Sequence, residues 1–241
     1  MWLPLLISLV TLAATATDRH SRTIPLPAGR TLAIDITVGN VRLEGSDRPD
    51  VEIEIERRAP STEDLSRVPI AIDESPTRVL VRVVQAAGAT DPAVRADVVV
   101  RVPRDAVVER VQILEGRLIV NGFRGTLSAD VRRGPIDATD VSGSLRLETG
   151  IGSIAMTNAR LSPNGVLRLR AFNGDVRLAL AERPVDVRIL ALALNGRVQS
   201  DIPLTMKDTW GPRWGEVTLG KGEPVISIDV VTGTIEIRTA R

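Results

Sequence analysis

The sequence predicts an all-β fold: a parallel β-solenoid, of the right-handed β-helix or β-roll type, with a capping β-sheet before it. Three observations predict this fold. Glycines recur nine residues apart through the middle of the chain, a large aliphatic residue follows each glycine at the second position, and an apolar residue follows at the fourth, except at Ser200. The glycines are Gly116, Gly125, Gly134, Gly143, Gly152, Gly165, Gly174, Gly196 and Gly233.

Each repeat describes a corner followed by a short strand. Side chains alternate across a strand, so apolar residues two positions apart face the same side, and glycine allows backbone shapes that a corner requires. A single strand of this kind cannot bury its apolar side, whereas a stack of coils can. Two units give an 18-residue coil, and we expect four aliphatics to point into the stack. These are Leu127, Ile136, Leu145 and Ile154.

The later glycine spacings are longer, from 152 to 165 and from 174 to 196. They predict longer corners or a turn without its glycine, with Val185 and Val187 kept on the inner side. Calcium-binding β-rolls also repeat every nine residues, but they carry an aspartate where this chain has an aliphatic residue. The winding is expected to be right-handed, as parallel crossover connections generally are.

Residues 23–103 have a different pattern and predict an N-terminal β cap region. The stretches "DVEIEIERRA", "RVLVRVV" and "ADVVVRVP" alternate as strands do, and Ser61 before two acids indicates a short helix start. An antiparallel or mixed sheet here would cover the first coil, whose open edge would otherwise invite aggregation. Residues 104–241 are the predicted solenoid repeat region, and a single continuous domain over 23–241 stays open.

The amino terminus predicts export. Residues 1–16 indicate a signal peptide, since the chain is apolar from Trp2 to Ala14 and small residues surround the expected cleavage near Thr17. The apolar stretch is shorter than the ~20 residues of a spanning helix, and no later segment could span a bilayer. We expect a periplasmic or extracellular mature protein, with an uncleaved anchor as the alternative. His20 is expected to be a disordered terminal residue.

Composition argues against several classes of chemistry. The chain has no cysteine, one histidine and a formal net charge of +1. Disulfides, thiolate metal sites and a Ser-His-Asp triad are therefore excluded, and the basic excess typical of nucleic-acid binding is missing. The sequence predicts a protein that is not an enzyme, with no catalytic residues, no metal, no cofactor and no nucleic-acid partner.

The repeat resembles a widespread bacterial group of exported β-strand-repeat proteins that carry the label "putative adhesin", a domain family of unknown function. The likeness lies in "RVPRDAVVERVQILEGRLIVNGFRGTLSADVRRGPIDATDVSGSLRLETGIGSI" and in "LGKGEPVISIDVVTGTIEIR", and as a pattern it covers residues 23–241. The resemblance implies a solenoid-like β architecture and a cell-envelope location. It supplies no catalytic residues, and the word adhesin is itself a label by analogy.

Four side chains are the candidate binding residues. Trp210 and Trp214 lie in the irregular stretch "TMKDTWGPRWGE", where they either fold back as a lid over the last coil or contact a partner. Arg146 and Arg168 fall on outward positions, and with Arg170 they predict a basic ladder that Glu148 could neutralise. An anionic glycan or a lipid headgroup would fit such a ladder.

The most specific function that these patterns support is a non-enzymatic, adhesin-like binding or scaffolding role in the cell envelope, with an unidentified envelope protein or glycan as partner. A carbohydrate-active enzyme of the β-helix type is one alternative, and it would need clustered acids in a groove. A membrane-tethered envelope sensor or regulatory module is the other. The acids near successive corners are Glu115, Asp130, Asp137, Asp140 and Glu148.

Overall fold

The computed structural model describes residues 15–85, 91–207 and 211–240, and within them the protein is all-β. Nineteen strands join in one large mixed sheet that is not closed, accompanied by one short helix. The predicted all-β class is confirmed. The strands are β1 Ala16–Pro25, β2 Thr31–Val38, β3 Val41–Ser46, β4 Asp50–Ala59, β5 Ile70–Glu74, β6 Arg78–Val83, β7 Arg95–Pro103, β8 Val107–Glu115, β9 Leu118–Asn121, β10 Thr126–Arg133, β11 Ile136–Thr139, β12 Ser144–Ile151, β13 Ile154–Ala159, β14 Val166–Asn173, β15 Val176–Leu180, β16 Val187–Ser200, β17 Thr205–Lys207, β18 Arg213–Leu219 and β19 Val225–Thr239; the helix is α1 Thr62–Ser66.

The parallel strands form two ladders, between which the chain alternates. In the first ladder β2, β8, β10, β12 and β14 lie side by side, and in the second β3, β9, β11, β13 and β15 do so. The register repeats every 18 residues through the middle of the chain: Leu127 lies beside Leu145, and Ile136 beside Ile154. All four side chains are buried, as the sequence predicts.

The inward side chains of both ladders meet in one apolar core. Leu147 and Leu169 enter it from the first ladder, and Met156 and Leu178 from the second, each at most 1% exposed. The one fully buried polar side chain of the described residues, Thr149, donates its hydroxyl to the backbone oxygen of Gly134 at 2.8 Å. A buried hydroxyl with its partner avoids the cost of an unsatisfied group, so the core remains continuous through this layer.

The corner glycines form two separate columns. Where the chain passes from the first ladder to the second, Gly116, Gly134, Gly152 and Gly174 lie one upon another, each at positive φ. Gly125, Gly143 and Gly165 stack at the opposite corner. The nine-residue spacing in the sequence is therefore an alternation of two corners, and each corner repeats at 18 residues until the spacing lengthens after Gly152.

At the carboxyl end, spatial order departs from chain order. Strand β19 lies between β14 and β16 in the first ladder, and between β15 and the second half of β16 in the other. Gly233 thus stacks on Gly174, and Gly196 stacks on Gly233. The prediction that the corner at Gly196 follows the corner at Gly174 is wrong for the order of stacking, because Gly233 lies between them. The prediction for Val185 is also wrong, since it is 82% exposed just before β16 begins at Val187, which is buried.

The amino-terminal part combines parallel and antiparallel pairing. Strands β2 and β3 extend the two ladders, while β1, β4 and β7 pair antiparallel, as do β5 and β6. Helix α1 begins after Ser61, whose hydroxyl accepts the backbone N–H of Asp64 at 3.2 Å, so the predicted helix start is confirmed. His20 is not a disordered terminus: it lies in β1 opposite Ile55. No helix in the described ranges has the length and apolarity needed to cross a bilayer.

Candidate binding surface

The predicted residues Arg146 and Arg168 occupy adjacent strands on the outer face of the first ladder. They are direct register partners on β12 and β14, so their backbones are about 4.8 Å apart. Both side chains are exposed, and neither has an ion-pair or hydrogen-bond partner in the described part of the chain. Two like charges side by side repel each other, and a bound anion would relieve that repulsion.

The neighbouring acid, Glu148, pairs with a different arginine. Glu148 lies 3.8 Å from the guanidinium of Arg170, its register partner, rather than against Arg146 or Arg168. Arg170 also lies over the ring of Phe172, with 4.6 Å between the guanidinium carbon and the ring centroid. Of the three arginines in the predicted ladder, Glu148 therefore pairs with Arg170 and not with Arg146 or Arg168.

Trp214 lies on the same outer face, at the far side of β16. It lies in β18 opposite Leu192, and its side chain faces outward because the next residue, Gly215, faces inward. The Trp214 side chain is 39% exposed. Lys207 lies over its ring at 5.1 Å and pairs with Glu216 at 2.9 Å. A hydrogen bond from Lys207 lowers the pKa of Glu216 below 4.5. Trp214 is therefore not a lid over the last core layer, and Trp210 lies outside the described residues.

Sequence reasoning missed an apolar row between these two groups. The registers of β14, β19 and β16 place Phe172, Val231 and Leu194 side by side on the outer face. Phe172 is 39% exposed and Leu194 is 42% exposed. The sequence does contain a signal for Leu194. Every residue of "ILALAL" is apolar, including the alternate residues that face outward, where polar side chains are expected. No such signal could place Val231 next to it, because the two are 37 residues apart.

We use the name apolar band for Phe172, Val231, Leu194, Leu192 and Trp214. Among the described residues, five cations border it or lie near it on the outer face, against three carboxylates, two of which already pair with a cation. The band therefore combines exposed aromatic and aliphatic surface with positive charge. The cations are Arg146, Arg168, Arg170, Arg188 and Lys207, and the carboxylates are Glu148, Glu216 and Asp229.

The corner acids do not assemble into a site. Asp130 lies beside Glu148 on the first ladder, whereas Asp137 is on the second ladder and pairs with Arg117 at 3.5 Å. Asp140 accepts a hydrogen bond from Asn158. Across the described ranges, no three His, Asp or Glu side chains are grouped so as to hold a metal ion.

A groove of about 580 Å³ lies on the outer face of the second ladder. Three arginines line it, Arg42, Arg117 and Arg133, together with one carboxylate, Asp97. The carboxylate of Asp97 already accepts a hydrogen bond from the side-chain amide of Asn40 at 2.8 Å. Glycoside hydrolysis generally uses two carboxylates across the scissile bond, and this groove presents one.

Comparison with known proteins gives distant structural likenesses alone. No family model and no curated protein matches the chain. A "putative cell adhesion protein" from Clostridium sporogenes aligns over 93% of this chain and 100% of its own, at 11% identity and a TM-score of 0.48. A "putative adhesin" from Bacteroides fragilis aligns over 91% and 97%, at 10% identity and a TM-score of 0.35. A "putative lipid binding protein" from Parabacteroides distasonis aligns over 93% and 97%, at 10% identity and a TM-score of 0.29.

Each of these names describes the neighbour and not this chain. With identities of 10–11%, what this chain binds has to be argued from its own surface.

Proposed function

We propose that this protein is an exported β-solenoid that acts without catalysis, by binding another component of the bacterial cell envelope through the outer face of its first ladder. The 18-residue register between Leu127 and Leu145 supports a solenoid, as does the stacked column of corner glycines. The parallel pairing of β2 with β8 and of β3 with β9 supports one continuous unit over 23–241 instead of a separate cap over 23–103.

Export is part of the same proposal, with residues 1–16 as a cleaved signal peptide. Strand β1 begins at Ala16, so cleavage after this residue would remove the first residue of β1, which pairs with Ala59, and leave the rest of the strand. The mature protein would lie in the periplasm or outside the cell. Mass spectrometry of the mature amino terminus tests this step, and a retained apolar segment would favour the membrane-tethered alternative.

The observation that carries the binding role is that Arg146 and Arg168, which have no partner among the residues that the structure describes, lie on the same face as exposed Trp214. A folded protein gains nothing from leaving two adjacent like charges without counter-ions, and exposed apolar clusters mark interaction sites. The surface therefore has the character of a site built for a partner that is anionic in part and apolar in part.

Sedimentation of the purified protein with isolated bacterial cell envelopes tests the role. We expect the wild type to sediment with the envelopes, and the Trp214→Ala/Arg168→Thr variant to remain largely in solution. The Val185→Ala/Arg197→Thr variant is the matched control, because it removes an exposed apolar side chain and an arginine outside this face. Equal sedimentation of both variants would contradict the proposal, as would no sedimentation of the wild type.

A further inference from the structure

We infer that the apolar band is a docking surface for an anionic lipid bilayer, an inference that rests on the proposed binding role and names its partner. The band lies across four neighbouring strands, β14, β19, β16 and β18. At about 4.8 Å between strands, it extends about 15 Å across the sheet. Its side chains all project from one face, so they can meet a flat surface at the same time.

The composition of the band fits the interface of a bilayer. Tryptophan and other aromatic residues are enriched at the headgroup level, where one end of the ring is wet and the other apolar. Phe172 and Trp214 each carry a cation over the ring, Arg170 and Lys207 respectively. A long cationic side chain beside an inserted ring can extend to the phosphate layer while its stem remains in contact with apolar groups.

The charges around the band favour an anionic surface. Arg146 and Arg168 have no partner in the described ranges and are in register with each other, so each adds attraction that no internal acid cancels. A cation near an anionic leaflet contributes about 1 kcal/mol, or about a five-fold change in affinity. Neutral lipid would leave this pair without a counter-ion.

A soluble glycan fits the band less well. Sugar recognition needs hydrogen-bonding groups that converge around the aromatic ring and are free to bind the sugar. The polar groups beside Trp214 are Lys207 and Glu216, which pair with each other. On β16 its neighbours are Leu192 and Leu194. Among the described residues, Asp229 is the one carboxylate between the two rings, on β19 beside Leu192. A lipid surface needs no such convergence, because its acyl region accepts the aliphatic side chains directly.

Co-sedimentation with vesicles tests the inference. The probes are vesicles of phosphatidylcholine alone and vesicles with phosphatidylglycerol added. We expect binding to the anionic vesicles that weakens about 30-fold in the Arg146→Thr/Arg168→Thr variant, since two five-fold contributions are lost. Leu194→Asp should weaken binding about ten-fold or more, because it places a charge where an aliphatic side chain enters the bilayer.

Two control variants have matched chemistry away from the band. Arg42→Thr/Arg197→Thr removes the same charge from the second ladder, and Val185→Asp adds the same carboxylate at an 82% exposed valine. Both should bind anionic vesicles as the wild type does. Circular dichroism of every variant shows whether the β fold is intact, so that a loss of binding can be assigned to the surface.

The outcomes separate this inference from the proposed function. Absence of binding to anionic vesicles, together with sedimentation on whole envelopes, overturns the lipid partner and leaves the binding role standing. Absence of both overturns both. Equal binding to neutral vesicles overturns the role of the arginine pair. Sedimentation velocity adds a further check: if the wild type is a dimer that Leu194→Asp dissociates, the band is a self-interface and the inference fails.

Discussion

The backbone oxygen of Gly116 occupies the space that a Cβ on Gly134 would need, one 18-residue coil further along the chain. The backbone N–H of Gly134 donates to the carbonyl of Ile151 at 2.8 Å, and that of Gly116 donates to Arg133 at 2.9 Å. Glycines that follow one another in this column are thus held close together by backbone hydrogen bonds, and no side chain fits between them. The repeat in the sequence exists because of this contact.

Gly134→Ala should destabilise the fold by about 3 kcal/mol or more, because it combines overlap with backbone and a φ of +139°. Gly29→Ala is the matched control, since Gly29 also has positive φ but nothing within 4 Å of its Cβ position, and it should cost about 1 kcal/mol. Urea unfolding measures both. Similar losses in the two variants would mean that backbone conformation, and not stacking, sets the glycine requirement.

Leu169→Ala should lower the free energy of unfolding by about 2–5 kcal/mol, because the side chain is fully buried between the ladders. Val166→Ala in the same strand should change it by less than about 0.5 kcal/mol, since Val166 is half exposed. Thermal or urea unfolding provides the measurement. A small effect at Leu169 would contradict the continuous core.

Arg146→Thr should stabilise the protein by about 0.5 kcal/mol in low salt, because it removes the like charge beside Arg168. The gain should vanish near 1 M salt, where the screening length falls to about 3 Å. Unfolding is measured in urea at both salt concentrations. Arg197→Thr is the control, since its register partner is Thr234; an equal gain there would show that the effect is general and not a property of the arginine pair.

Acid should weaken the attachment of β1. Arg57 donates to Asp18 and to the backbone oxygens of Leu65 and Val68, so it joins β1, β4 and the turn after α1. The hydrogen bond from Arg57 lowers the pKa of Asp18 below its ordinary 3.8. A carboxyl with a lowered folded-state pKa stabilises the fold above that ordinary value and loses this contribution as pH falls through the folded pKa.

Asp18→Asn should therefore lower stability at pH 7 and reduce the difference in stability between pH 7 and about pH 3. Urea unfolding at the two pH values measures it. Glu182→Gln, at an exposed carboxylate with no ion pair or hydrogen bond in the described chain, is the control and should leave the difference as in the wild type. Identical pH profiles for Asp18→Asn and wild type would contradict the assigned role of Arg57.

The glycine-and-aliphatic pattern was enough to predict the β class, the buried positions and an 18-residue return. These properties depend on local alternation and on corner geometry, which neighbouring residues specify. Leu127 and Ile154 could be placed inside because each follows a glycine by two positions. Val185 could not, since its place depends on where β16 begins and not on its spacing from a glycine.

The candidate site was predicted in part. Arg146, Arg168 and Trp214 were identified from strand parity and from an irregular stretch, and parity correctly places the two arginines on the outer face. The binding roles of these three and of Trp210 remain predictions. Phe172 and Val231 were missed. They are adjacent only because β14 pairs with β19, and neither segment of the sequence indicates that pairing.

By itself, the sequence determined the alternation of corner and strand, since glycine tolerates a positive φ and alternating aliphatics need a common apolar side. The order of the strands at the carboxyl end was decided by tertiary structure alone. Strand β19 lies between β15 and β16 because it offers two long apolar runs in register with both neighbours, and that pairing is non-local. The same insertion brings Val231 between Phe172 and Leu194 and so creates the apolar band.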